Sequence, residues 1–208
     1  MASILYLQSS IFGDQGQSSQ LARRFIEGYQ AAHPGTQVLV RDLITDGVPH
    51  LDLERAGALR GFSDNLNDAQ RAVLAQSDAL IEELNNADLV VIGLPMYNFS
   101  VPSQFKAWFD HIARAGLTFK YTEQGPVGLV ADKPVRVFAT HGGIHQGQPH
   151  ETSTQFVKTI LAFIGLTDVE FVYAEGLNIG EDVKNQALLR AQARIAAQLQ
   201  QFDEKTSA

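Results

Sequence analysis

The chain has 208 residues and a formal net charge of −7, from 16 Lys and Arg against 23 Asp and Glu. This balance disfavours nucleic-acid binding, which usually needs a clustered basic surface. The chain has no cysteine, so disulfides, thiolate catalysis and cysteine-bound metals are excluded, and 45% hydrophobic residues suffice for the core of one domain, expected to span residues 1–208.

Strand-like apolar runs alternate with helix-like periodic segments from one end of the chain to the other. Ile4–Leu7 predicts a first strand, and apolar residues at helical spacing between Leu21 and Tyr29 predict a first helix. Gln37–Arg41 predicts a second strand. The region that follows has no clear period, although Leu51–Leu59 has room for a short helix.

The middle of the chain contains the strand with the strongest signal. A longer helix is expected to begin after Asn67, whose side chain is placed to cap it. Leu89–Leu94 is apolar on both alternating faces apart from Gly93, as in a central parallel strand covered by helices on each side. Pro102 is expected to open the next helix in its first turn, and Gly116 to end it.

The last third of the chain predicts two more strands, Val135–Ala139 and Val169–Ala174. Glu170 indicates that the fifth strand has one face near water, as at the edge of a sheet. A final amphipathic helix is expected over Val183–Leu199. The alternation of strands and helices predicts a doubly wound, five-stranded parallel sheet with helices on both faces.

Ligands of open parallel sheets bind beyond the carboxyl ends of the strands, where the strand order reverses. The segment after the first strand, SSIFGDQGQSS, carries four serines and two glycines just before a helix. Hydroxyls, free N–H groups and the positive end of the helix dipole can hold a phosphate there without Lys or Arg. The alternative is a polar turn with a helix cap. The spacing fits neither a Walker loop nor the dinucleotide-binding GxGxxG motif.

Two further segments follow the third and fourth predicted strands. PMYNFSVP places apolar and aromatic side chains beside the amide of Asn98, which suits a flat heterocycle that also needs hydrogen bonds. The alternative is packing against the end of the sheet. In the segment Thr140–Gly143, adjacent Gly142 and Gly143 allow close approach of the backbone to a ligand, or form an ordinary turn.

Three longer motifs carry a resemblance to a known family: SSIFGDQGQSSQL, PMYNFSVPSQFKAWFDHIARAGLTFKYTEQGPVGL and THGGIHQG. Together they strongly resemble the FMN-dependent NADH azoreductase and quinone oxidoreductase family, in its order and spacing, from about Ile4 to the last helix. The resemblance implies a flavodoxin-like fold with strand order 2-1-3-4-5, a homodimer, and one non-covalent FMN per subunit. It also implies NADH or NADPH as electron donor and a small quinone or azo compound as acceptor.

The resemblance assigns three groups of cofactor contacts. The phosphate and ribityl contacts are Ser10, Gly16, Gln17 and Ser18. The isoalloxazine contacts are Met96, Tyr97, Asn98 and Phe99. The loop on the other side of the ring is Thr140, His141, Gly142 and Gly143. The chain departs from the family twice, with Gly16 where many relatives have Ser, and His141 where the family often has Arg or Gly.

The implied reaction is a ping-pong cycle in which the flavin N5 takes a hydride, so no side chain is expected to be catalytic. Full cleavage of an azo bond to amines needs a second round. Backbone N–H groups near Asn98 and Gly142 would stabilise negative charge on the reduced ring. The expected acceptor pocket draws on the insertion at Thr118–Gly128, on a later helix and on one arginine: Phe119, Tyr121, Phe163 and Arg60. Core or interface packing is the alternative for Phe119 and Phe163, and simple solvation for Arg60.

Three other readings stay open but are disfavoured. His141, His145 and His150 do not have the spacing of a familiar metal site. An electron carrier would share fold and cofactor, but would not need an aromatic insertion. A hydrolase is disfavoured because no GxSxG motif surrounds the early serines. The start of the chain lacks a secretory signal, and no apolar run approaches the roughly 20 residues of a membrane helix, so a cytoplasmic protein without membrane or nucleic-acid partners is expected.

Overall fold

The computed structural model describes residues 2–62 and 65–206. These residues form seven strands and six α-helices. The strands are β1 (Ser3–Gln8), β2 (Gln37–Asp42), β3 (Leu89–Pro95), β4 (Phe119–Thr122), β5 (Gly125–Gly128), β6 (Val135–Thr140) and β7 (Val169–Ala174). The helices are α1 (Gln17–Ala32), α2 (Leu53–Arg60), α3 (Asp68–Asn86), α4 (Ser103–Ile112), α5 (Ser153–Ile164) and α6 (Glu181–Thr206).

Five strands form one parallel sheet in the order β2-β1-β3-β6-β7. The predicted five-stranded parallel sheet is therefore confirmed. The order 2-1-3-4-5 holds only when β4 and β5 are left out of the numbering. These two strands form a separate antiparallel hairpin within the predicted insertion, a feature that the sequence analysis did not assign.

Helices cover both faces of the sheet, as predicted. Leu21 and Phe25 of α1 share one buried cluster with Ile195 of α6. Residues of α3, α4 and α5 form the cluster on the opposite face, where Trp108 is fully buried. Strand β3 is buried along its whole length because it lies in the middle of the sheet with helices on each side.

The ends of two helices test the predicted boundary residues. Asn67 caps α3 by accepting a hydrogen bond from Gln70 N at 2.8 Å, and the Gln70 side chain accepts one from Asn67 N in return. Pro102 precedes the first turn of α4, one residue earlier than expected. The prediction that Gly116 ends α4 is wrong. The helix ends at Ile112, whose carbonyl accepts a hydrogen bond from the Thr118 hydroxyl at 2.6 Å.

Strand β7 lies at one edge of the sheet, as Glu170 indicated. Glu170 is partly exposed there and accepts a hydrogen bond from Gln198 on α6 at 3.0 Å. Across residues 2–62 and 65–206, no helix combines the length and apolar character needed to cross a membrane.

Candidate functional site

A cleft of about 320 Å³ opens at the carboxyl ends of the central strands. Its volume falls at the lower end of the range for small-molecule sites, about 300–1,000 Å³. Eight of the twelve predicted cofactor contacts line it: Ser10, Gly16, Gln17, Met96, Tyr97, Thr140, His141 and Gly142. The fold thus brings residues from all three predicted segments to one place.

One end of the cleft is the N-terminus of α1. The first N–H groups of any helix have no intrahelical partner, and the N-cap residue here, Gly16, has no side chain that could accept from them. Ser18 lies in this first turn, and its hydroxyl is fully buried with no hydrogen-bond partner among the described residues. Unsatisfied donors at a helix N-terminus favour an anion.

Gly16 itself is explained by the position of Ser10. A Cβ atom at residue 16 would overlap the Ser10 hydroxyl, which occupies that space. The Ser10 side chain also accepts a hydrogen bond from Phe12 N at 3.2 Å, which holds the loop before α1 in shape. A serine at position 16 would therefore require Ser10 to move.

The second segment ends in a tight turn. Tyr97 and Ser100 exchange backbone hydrogen bonds at 2.9 and 3.1 Å, and the residues between them have positive φ, 51° at Asn98 and 64° at Phe99. Two-residue hairpin turns of this type favour Asn followed by Gly, so a phenylalanine here is strained, by about 1–3 kcal/mol. Asn98 and Phe99 are exposed at the tip of the turn and do not line the cleft.

Tyr97 joins the first two segments. Its hydroxyl accepts a hydrogen bond from Ile11 N at 3.1 Å and lies 3.4 Å from the Ser10 hydroxyl. The two walls of the cleft are therefore fixed to each other before any ligand binds, which lowers the ordering cost of binding.

The third segment is paired with the loop after β7. Asn178 N donates to Gly142 O at 2.9 Å, and Gly176 N donates to Gly143 O at 2.7 Å. A Cβ at Gly142 would lie 2.6 Å from the Asn178 side chain, and a Cβ at Gly143 would lie 2.6 Å from the His145 ring. A side chain at either position would therefore require Asn178 or His145 to move.

His141 is held by a carboxylate beneath the cleft. Its Nδ1 lies 2.9 Å from Glu175 Oε1, and the ring is almost completely buried. The same Glu175 oxygen accepts hydrogen bonds from the N–H groups of His145 and Gln146, each at 2.7 Å. Burial alone would raise the pKa of Glu175, but the hydrogen bonds from His141 and from the two N–H groups hold it below its ordinary value.

The Glu175 carboxylate is expected to stabilise the fold at neutral pH and to lose that effect in acid. Because the pKa of Glu175 is lower in the folded state than in the unfolded state, the stabilisation is present above the ordinary glutamate value of about 4.3 and is lost as the pH falls from there through the folded-state value. Glu175→Gln should lower the free energy of unfolding by about 1–3 kcal/mol at pH 7. Urea unfolding at pH 7 and in acid should show that the difference in unfolding free energy between the parent protein and Glu175→Gln becomes smaller in acid.

Glu123→Gln on the exposed hairpin is the control and should change the unfolding free energy little at either pH. A difference in unfolding free energy between the parent protein and Glu175→Gln that stays constant from neutral to acid pH would contradict a stabilising role for the Glu175 carboxylate charge.

The comparison with known proteins agrees with this arrangement. Residues 2–199 match the family described as having a flavodoxin-like fold. An FMN-dependent NADH:quinone oxidoreductase of Alcanivorax borkumensis is 52% identical over 93% of this chain and 98% of that protein. The enzyme of the same name from Cellvibrio japonicus is 48% identical over 96% and 99%. This chain belongs to the FMN-dependent NADH:quinone oxidoreductase and azoreductase family.

Solved structures of family members superpose closely on the chain. An azoreductase from Bacillus anthracis is 28% identical with a TM-score of 0.88, covering 97% of this chain and all of the other. An FMN-dependent NADH-azoreductase from the same species, solved in complex with FMN, is 25% identical with a TM-score of 0.87, covering 98% and 100%. The family that the sequence motifs resemble is thereby confirmed.

Four predicted cofactor contacts of this family member do not line the cleft: Ser18, Asn98, Phe99 and Gly143. Ser18 is buried directly behind the helix N-terminus, and Asn98 and Phe99 stand at the rim. The predicted acceptor residues also lie outside the cleft, and Phe119 is buried. Phe119 packs against Phe163 with ring centroids 4.3 Å apart.

Tyr121 and Arg60, the other two predicted acceptor residues, are both exposed. The Tyr121 ring lies 5.4 Å from the Phe119 ring and is 76% exposed on the hairpin. Arg60 ends α2. A single chain therefore does not bring the acceptor residues to the cleft.

Five residues that line the cleft were not among the predicted contacts: Phe12, Pro95, Leu177, Asn178 and Lys184. Pro95 lies within the second segment and ends β3. Phe12 lies within the first segment but was not singled out. The others follow β7, and the rule that ligands bind at the carboxyl ends of strands applies to that strand as well. In the described ranges, no group of three or more His, Asp or Glu side chains is arranged to hold a metal ion.

Proposed function

We propose that this protein binds one FMN non-covalently per subunit, within a single domain. It passes electrons from NADH or NADPH to quinones and azo compounds by a ping-pong mechanism. The observation that carries the proposal is the pairing, in one cleft, of an uncapped helix N-terminus with an aromatic and apolar wall at Met96 and Tyr97. The names of the relatives at about 50% identity support the same activity.

The residues present fit FMN by their chemistry. The phosphate would be held by Ser10, by Gln17 and by the first N–H groups of α1. The unpartnered hydroxyl of Ser18 is buried in the same turn and would have to become accessible from the cleft to join them. The ring would lie between the 96–99 turn and the Thr140–Gly143 segment. The bound flavin would supply two-electron transfer between the nicotinamide and the acceptor. The chain itself would bind the cofactor and supply backbone N–H groups near Asn98 and Gly142.

A second subunit would complete the acceptor pocket. Tyr121 on the hairpin and Phe62 after α2 are apolar side chains exposed outside the cleft. In a homodimer, the aromatic residues of one subunit would close the cleft of the other, which is why we infer a dimer. Sedimentation at micromolar concentration would distinguish a dimer from a monomer. The cytoplasmic location stays a prediction from the sequence.

Steady-state kinetics tests the reaction. NADH oxidation, measured at several concentrations of a benzoquinone, should give parallel lines in double-reciprocal plots, because the nicotinamide leaves before the acceptor binds. An azo dye should be decolourised with two NADH consumed per bond cleaved to amines. Intersecting lines would contradict the ping-pong order. If NADH is oxidised only when a protein acceptor is added, the result would instead favour an electron carrier.

A further inference from the structure

The cleft contains one cation that none of the family motifs supplies. Lys184 lies in the first turn of α6 and lines the cleft together with Gly16 and Gln17 from the start of α1. Its side chain is 33% exposed. The segment Ser9–Ser19 has no Lys or Arg of its own. A lysine from the other end of the chain therefore faces the same space as the uncapped helix N-terminus.

The Lys184 ammonium group makes only a weak ion pair within the chain. Among the described residues, its carboxylate partner is Glu181 on the same helix, with 3.8 Å between Lys184 Nζ and Glu181 Oε1. That carboxylate is 75% exposed. Exposed pairs of this kind contribute little, about 0–1 kcal/mol, and are screened by salt. The ammonium group is thus free to turn toward a stronger anion.

Helix packing explains why these two helix starts meet. Helices α1 and α6 lie side by side on one face of the sheet, in the cluster that joins Phe25 to Ile195. Both helices follow the carboxyl end of a parallel strand, so both N-termini point to the same edge of the sheet. This geometry places Lys184 at the same cleft as the N-terminus of α1.

The charges that line the cleft have one sign. Lys184 is the ammonium or guanidinium group among the residues described as lining it, none of these residues is a carboxylate, and the His141 ring there is hydrogen-bonded to Glu175, which does not line the cleft. The helix dipole at Gln17 adds a partial positive charge. A site with a lysine, a helix N-terminus and no lining carboxylate is suited to a group with more than one negative charge.

We propose that Lys184 Nζ contacts the phosphate of bound FMN and makes the site selective for the phosphorylated flavin over riboflavin. The proposal rests on the proposed function and assigns a residue to one part of that site. It predicts that the lysine contributes to binding only through the phosphate.

Flavin binding to the apoprotein tests this assignment without measuring turnover. The apoprotein is titrated with FMN and with riboflavin, following flavin fluorescence at low and high salt. Lys184→Gln should weaken FMN binding about tenfold at low salt, leave riboflavin binding unchanged, and reduce the salt dependence of FMN binding. Lys184→Arg should retain FMN affinity within about threefold of the unmodified protein.

Arg194→Gln is the matched control, because it removes one positive charge from the same helix at a residue that does not line the cleft. It should leave both affinities unchanged. If Lys184→Gln binds FMN as tightly as the unmodified protein, or loses FMN and riboflavin affinity equally, the phosphate contact is refuted while the proposed function stands. If the unmodified apoprotein binds no FMN, the proposed function fails as well.

Discussion

Gln17→Glu is expected to weaken FMN binding on the order of 100-fold without weakening the fold. Gln17 is the first residue of α1 and lines the cleft. A carboxylate there would meet the helix dipole favourably and stabilise the apoprotein by about 0.3–1 kcal/mol. The same carboxylate would repel a phosphate at short range in a partly desolvated site, where like charges interact strongly. Stability and FMN affinity should therefore change in opposite directions.

The control for this prediction is Gln155→Glu. Gln155 lies in the first turn of α5, is exposed and does not line the cleft. Gln155→Glu makes the same change in charge in the first turn of another helix, two residues further into it than Gln17 is in α1. Calorimetric titration should give unaltered FMN affinity for Gln155→Glu and a large loss for Gln17→Glu, with riboflavin affinity retained in both. Equal FMN affinity in the two variants would contradict the placement of the FMN phosphate at the N-terminus of α1.

Gly128→Ala is expected to destabilise the protein by about 2–3 kcal/mol, because the added methyl group cannot be accommodated. A Cβ at residue 128 would lie 2.5 Å from Gly165 Cα and closer still to the backbone of Ile164 and to Gly165 N. These are backbone atoms at the end of α5, where Val130 N donates to Ile164 O at 3.0 Å. The hairpin and α5 would have to move apart, because the contacting atoms belong to the backbone and cannot shift without disturbing these elements.

The opposite result is expected for Gly57→Ala. Gly57 lies within α2, and the nearest heavy atom to an added Cβ is in Phe62 at 3.5 Å, an ordinary contact. The alanine should stabilise the protein by about 0.5–1 kcal/mol. Urea unfolding measures both variants. Gly128→Ala should also slow quinone reduction more than it weakens FMN binding, because the hairpin carries Tyr121. A Gly128→Ala variant as stable as the parent would show that the hairpin is not packed as described.

Much of the fold could be predicted because its signals are local. The run Leu89–Leu94 predicts a central strand because it is apolar apart from Gly93. Strand β3 is observed there and is buried at every position. Asn67 followed by Gln70 is a capping box, and the structure forms it. Ser10 and Tyr97 could be assigned to one site because the ends of parallel strands meet at one edge.

Other features depend on contacts between distant parts of the chain. Strand β5 contains Gly125, Pro126 and Gly128, which disfavour strands, and its position depends on packing against Gly165. The positive φ of Phe99 has no sequence signal, because phenylalanine rarely adopts it. Lys184 is far from Gln17 in sequence, and only the packing of α6 beside α1 brings it to the cleft.

The absorbance spectrum of the purified protein, reconstituted with FMN and then reduced anaerobically with NADH, tests the flavin-dependent oxidoreductase function. We expect a bound-flavin spectrum that bleaches with NADH and returns when a quinone is added. A protein that takes up no FMN would contradict the assignment of the cleft, and a bound flavin that stays oxidised with both NADH and NADPH would contradict the oxidoreductase function.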